Sequence, residues 1–108
     1  MSYDVNMVVD TGATYPASVH DCGNYTYNVG DMFRASLGGD GLRELQGLAG
    51  EEATPKLRKA IAYMEDHPVE MRGMNPANGW GNYEGALNYL RAVLDGCVTH
   101  PKAVVSIT

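Results

Sequence analysis

Asn75-Pro76-Ala77-Asn78-Gly79-Trp80-Gly81-Asn82-Tyr83-Glu84-Gly85 holds the chain's only tryptophan, three asparagines and three glycines. It opens the longest apolar-periodic segment of the sequence. From Trp80 the apolar positions run Tyr83, Leu87, Leu90, Leu94 and Cys97, a 3-4-3-4-3 series that puts them on one face of a helix. Asn78 is the candidate N-cap, with Trp80 and Tyr83 heading the stripe. The helix is expected to stop near His100-Pro101, where proline cannot continue it. A helix with one apolar face requires a surface to pack on.

The same spacing recurs upstream. Leu57, Ala60, Ile61 and Met64 form a stripe. Thr54 reads as the cap of this helix, Pro55 as its first position and Asp66-His67-Pro68 as its stop. Before it, a short helix is expected over Leu42–Leu48 with Asp40 as N-cap. A further helix is expected to begin near Asn24–Asn28 and to end at Gly38-Gly39, with Met32, Phe33 and Leu37 on its core side. The two ends of the chain carry the other periodicity. Tyr3, Val5, Met7 and Val9 alternate with Asp4, Asn6 and Asp10, and Ala103, Val105 and Ile107 alternate with Val104, Ser106 and Thr108. Period two makes each a half-buried strand. Thr11 to Gly23 reads as a long irregular connection. The expected fold is therefore α+β: four helices packed on a small antiparallel ribbon formed by the N- and C-terminal strands, in the order β-α-α-α-α-β. It forms one domain, 1–108. Such a ribbon leaves two edges, and a homodimer is expected through edge pairing or helix packing.

Composition narrows the partners. Eight basic residues against thirteen acidic ones give a net charge of −5, the wrong sign for a nucleic-acid surface. No apolar run approaches the ~20 residues of a membrane span, and no basic-then-apolar segment opens the chain. Cys22 and Cys97 are too few for a disulfide framework and read as reduced thiols of a cytosolic protein.

Several motifs suggest chemistry. Val8-Val9-Asp10-Thr11-Gly12-Ala13 resembles the active-site segment of retroviral-type aspartic proteases, whose paired aspartates share a proton. That fold is nearly all β, and the late apolar-apolar-Gly segment it needs is missing here. His20-x-Cys22 and Cys97-x-x-His100 would supply four zinc ligands, but His-x-Cys is an uncommon structural spacing, and Cys97 and His100 already have roles as core residue and helix terminator. Gly79-x-Gly81-x-x-x-Gly85 is neither a phosphate loop nor a dinucleotide fingerprint. Its glycines would instead let backbone N–H groups at a helix entrance approach a ligand closely, beside the rings of Trp80 and Tyr83 and the amides of Asn78 and Asn82. Asn24-Tyr25-Thr26-Tyr27-Asn28 alternates amides with phenols, a pattern suited to gripping a base, a ribose or a peptide. Arg34, Arg58 and Arg91 are the best-placed cations for an anion, each with a solvated helix face as its competing reading. The competing reading gives both segments a purely structural role, as caps and core residues.

The two segments together resemble a family of small proteins of bacteriophages and gut bacteria. Its signature runs Asn-x-Thr-x-Asn-Leu-Gly early, matched at Asn24 to Gly30, and Asn-Gly-Trp-Gly-x-Tyr-Glu late, matched at Asn78 to Glu84, followed by a short terminal strand. The chain departs at Val29, where leucine is common, and in the segment before Asn24. The resemblance carries no activity and implies a phage or mobile-element setting. The expectation is a small non-enzymatic binding protein in the cytoplasm of a bacterial host. It would counter defence by sequestering a small nucleotide or by blocking a host protein. Its ligand-binding residues would be Asn24, Tyr25, Tyr27, Asn28, Arg34, Asn78, Trp80, Asn82, Tyr83 and Arg91, with no catalytic residue, metal or cofactor. The rivals are a structural or accessory phage protein without a ligand and, behind it, an enzyme using Asp10 or zinc.

Overall fold

The alternation of Tyr3, Val5 and Met7 predicts the central element of the protein. In a computed structural model describing residues 1–108, β1 (Ser2–Val9) lies between two antiparallel neighbours, β2 (Ala17–Thr26) and β3 (Val104–Ile107). The first and last strands pair as expected, with Val5 opposite Ile107 and Met7 opposite Val105. The sheet has three strands rather than two. The segment read as irregular forms β2, which runs back along β1 from Ala17 opposite Val9 to Thr26 opposite Ser2. Only Cys22 of its ten residues is buried, and the register slips twice, so no clean period survives in the sequence.

The two outer edges differ. Along β3, Gln46 Oε1 accepts the Ile107 N–H at 2.7 Å, and Gly47 and Leu48 exchange backbone bonds with Val105. The outer edge of β2 has no such cover and is interrupted by its irregularities, a common defence of an open edge. Pairing of two copies through the sheet would have to use it.

The helices gather on the side of the sheet that buries Tyr3, Val5 and Met7, where the last helix packs on β1 and β2 and the other long helix on β3. Thr26 ends β2, a 3₁₀ turn at Tyr27–Val29 follows, and α1 spans Gly30–Leu37. This first helix therefore starts later than the asparagine-rich stretch suggested. The expected helix over Leu42–Leu48 is a 3₁₀ segment, Gly41–Leu45, and the Asp40 side chain makes no capping bond. Helix α2 (Gly50–Asp66) begins before Thr54 and places Pro55 in its second turn. The earlier start follows from bonds made far away in sequence. The Gly50 and Glu51 N–H groups donate to Ala103 O and Pro101 O at 2.8 and 2.9 Å, and Glu52 Oε1 accepts from Ala49 N at 3.0 Å. With these orphan donors satisfied, the helix no longer needs a cap at Thr54, whose hydroxyl donates instead to Gly50 O at 2.8 Å.

Both long helices stop at His-Pro as anticipated: α2 ends at Asp66, and α4 (Tyr83–Thr99) ends before His100. Pro68 then starts a five-residue helix, α3 (Pro68–Arg72), absent from the sequence reading. The α4 stripe widens to include Ala86, Tyr89, Val93 and Gly96, and it packs on α2 and β2. At its start Trp80 does not join the core; it is 69% exposed. Asn82 is the N-cap, in extended conformation (φ −157°, ψ 175°), with its Oδ1 accepting Gly85 N at 2.7 Å. No helix is long and apolar enough to cross a membrane.

Candidate functional site

Strand alternation sorts the residues at the open end of the β1–β2 pair. Tyr3 and Tyr25 are register partners, as are Ser2 and Thr26, and Asp4 and Asn24. Period two sends the tyrosines toward the helices and leaves Ser2, Asn24 and Thr26 on the uncovered face. Against this corner rests the loop that enters α4. Gly81, at φ +94°, lies so close that a Cβ there would stand 2.6 Å from Thr26 Cγ2 and 2.9 Å from Val29 Cγ1. Asn82 N donates to Tyr25 Oη at 3.1 Å. The two asparagine segments therefore meet.

Between them lies an open cleft of about 530 Å³, lined by Met1, Ser2, Asn24, Thr26, Asn28, Asn78 and Trp80. No charged side chain lines it. Thr26 Oγ1 accepts from both the backbone N and the Nδ2 of Asn28, at 3.2 and 3.0 Å. That fixes the amide while its Oδ1 stays free. Asn78 Oδ1 accepts Trp80 N at 3.0 Å, which leaves Nδ2 available. Asn24 is exposed on the sheet face. The cleft thus offers neutral amide donors and acceptors beside one exposed indole, a combination that matches a flat, uncharged polar group.

The remaining predicted ligand-binding residues stand elsewhere. Tyr25 stacks on Tyr89 at 5.8 Å between ring centroids. Asn82 caps α4. Tyr83 is buried, with its hydroxyl donating to Met64 O at 2.8 Å and its N–H to Asn75 Oδ1 at 2.8 Å. Arg91 pairs with Glu65 at 3.1 Å on the α2–α4 surface. Tyr27 and Arg34 line a separate small pocket with Tyr3 and Arg43. Ser2 and Thr26, which need the β2 register to be placed, and Arg43 were not among the ligand-binding residues read from the sequence.

Asp10 lies in the exposed β1–β2 turn, where its Oδ1 accepts Gly12 N at 2.8 Å. The ring centroids of His20 and His100 lie 5.3 Å apart, but no three histidine, cysteine or acidic side chains converge on one point. Cys22 and Cys97 are free and buried. Burial pushes the Cys22 thiol up to about 12, with Cys97, Asp21 and Asp95 adding to it, and pushes Cys97 up to about 11. Both are neutral and poor nucleophiles at ordinary pH.

No protein family, curated protein or solved structure matches this chain.

Proposed function

We propose that this protein is a non-enzymatic binding module whose asparagine cleft holds the base or sugar of a small nucleotide. One observation carries the reading. Asn24, Asn28, Asn78 and Trp80, from two segments far apart in the chain, line a single cleft that no charged side chain enters. A base stacked on Trp80 would find amide partners on both of its hydrogen-bonding edges, and stacking of this kind contributes about 1–3 kcal/mol per base. The motif resemblance supports a phage setting, in which sequestering a nucleotide signal in the cytoplasm of a bacterial host would blunt its defence.

A second reading, a host protein as partner, is favoured by the 69% exposure of Trp80, because tryptophan is among the residues most often found at interface hot spots. Trp80 is the chain's only tryptophan, so its intrinsic fluorescence reports on the cleft directly. Titration with nucleosides and with linear and cyclic nucleotides is expected to quench it saturably, and Asn78→Ala or Asn24→Ala to weaken that quenching. No quenching by any nucleotide, together with co-purification of a host protein that Trp80→Ala releases, would replace the nucleotide with the protein partner.

A further inference from the structure

Tyr3 is only 5% exposed; its hydroxyl makes no hydrogen bond within the protein and, since no buried polar side-chain atom is left without a partner, it reaches solvent. A tyrosine hydroxyl with its ring in the core ordinarily finds one. This hydroxyl emerges instead into a pocket of about 220 Å³ that it shares with Tyr27, Arg34 and Arg43. In a chain of net charge −5, two guanidiniums gathered at one small concavity stand out. Arg43 forms no ion pair with any carboxylate. Its Nη2 donates to Tyr27 Oη at 2.9 Å, and its guanidinium lies 5.5 Å from the Tyr27 ring centre and 5.9 Å from that of Tyr3. Arg34 gives Nη2 to Asp31, which leaves Nη1 on the side of Tyr3.

Gly30 lies beneath Tyr3 and Arg34. Its backbone is helical (φ −54°, ψ −33°), so no conformational demand calls for glycine. A Cβ there would stand 3.1 Å from both the Tyr3 hydroxyl and Arg34 Nη1. We infer that Tyr3, Tyr27, Arg34 and Arg43 form a binding site for one phosphate group, carried on a monoester or free in solution. The donors match that charge. The Tyr3 hydroxyl is unused, and burial, partly offset by Arg34 and Arg43, holds it protonated. The Tyr27 hydroxyl, accepting from Arg43, keeps its own hydrogen to donate. The guanidiniums contribute Arg34 Nη1 and the remaining N–H groups of Arg43. Charge-assisted bonds of this type are the stronger ones. The site does not depend on what occupies the asparagine cleft.

Isothermal titration with inorganic phosphate and with phenyl phosphate, against sodium chloride of equal ionic strength, tests it. Saturable binding of phosphate but not chloride is expected, with the tighter of the two phosphates indicating whether an ester or the free anion is the natural form. Tyr3→Phe removes a hydroxyl that bonds nothing in the protein, so it should leave the melting temperature unchanged while weakening phosphate about tenfold. Arg43→Gln should weaken it at least as much, and Trp80→Ala, at the other cleft, not at all. Absence of saturable binding, or Tyr3→Phe protein that binds phosphate as well as the wild type, would overturn the assignment.

Discussion

The Cβ that Gly85 lacks would overlap the hydroxyl of Tyr25, and that same hydroxyl accepts the N–H of Asn82 at 3.1 Å. The last glycine of the helix entrance is therefore a packing residue. It lets the first turn of α4 close onto β2 and holds the asparagine segments together.

Gly85→Ala is accordingly expected to destabilise the protein by about 1–3 kcal/mol through overpacking, although alanine is the better helix former. Tyr25→Phe in the same chain removes the overlapping oxygen and should recover part of that loss. The two substitutions would then be non-additive in urea denaturation. Strict additivity would show that Gly85 and Tyr25 do not press on one another.

Trp80 and Tyr83 separate structure from function within one motif. The sequence made both heads of the core stripe, whereas Trp80 is 69% and Tyr83 only 5% exposed. Tyr83→Ala should cost about 3–5 kcal/mol, the range for emptying a large core site. Trp80→Ala should stay within roughly 0.5 kcal/mol of wild type, as exposed substitutions do. Comparable losses from the two in chemical denaturation would return Trp80 to the core.

What the sequence conveyed depended on whether neighbours interfered with local pattern. β1 and β3 were legible because one face is buried and the period is unbroken. β2 was hidden by being an edge strand with Cys22 its one buried residue and Gly23 at φ +87° interrupting it; β1 supplies the ladder that makes it a strand. The start of α2 was misplaced because carbonyls of Pro101 and Ala103 cap it, and no local signal reports such bonds. The α4 boundary failed differently. Trp80 fits the apolar spacing, but Asn82 is extended and caps the helix two residues later. The cleft residues Asn24, Asn28, Asn78 and Trp80 were found by residue type alone. Their separation from Tyr25, Asn82, Tyr83 and Arg91 required the sheet register.

Alkaline pH should expose the buried thiols. Burial raises Cys22 from 9.0 to about 12 and Cys97 from 9.0 to about 11. A thiol that holds its proton more tightly when folded contributes stability that is fully present below its unfolded pKa and is lost as pH rises through the folded one. Stability should thus decline from about pH 9 through about pH 11–12. Replacing both cysteines with alanine should flatten that decline in urea midpoints measured across the range, leaving the share due to Tyr3 and Tyr89, which burial also raises. An unchanged alkaline slope in the double variant would mean the thiols are already solvated.

A second close approach of α4 to the sheet, near the helix's other end, supplies a last expectation. A Cβ on Gly96 would stand 2.7 Å from Cys22 Sγ and 3.1 Å from His20 Cδ2, so the helix rests on β2 through a position without a side chain. Gly96→Ala adds helix propensity worth about 1 kcal/mol, yet the short, buried Cys22 side chain has little room to yield. A net loss of about 1–3 kcal/mol is expected. Cys22→Ala removes the sulfur that the new methyl would meet. The pair should therefore be more stable than the sum of the single changes, by an interaction within the 0.5–3 kcal/mol typical of touching residues. Faster alkylation of the wild-type Cys22 thiol in the Gly96→Ala protein would report the same event independently, because lifting α4 uncovers that sulfur. If Gly96→Ala instead stabilises the chain and Cys22 stays unreactive, α4 has slack against β2, and the close packing between them is not what fixes its position.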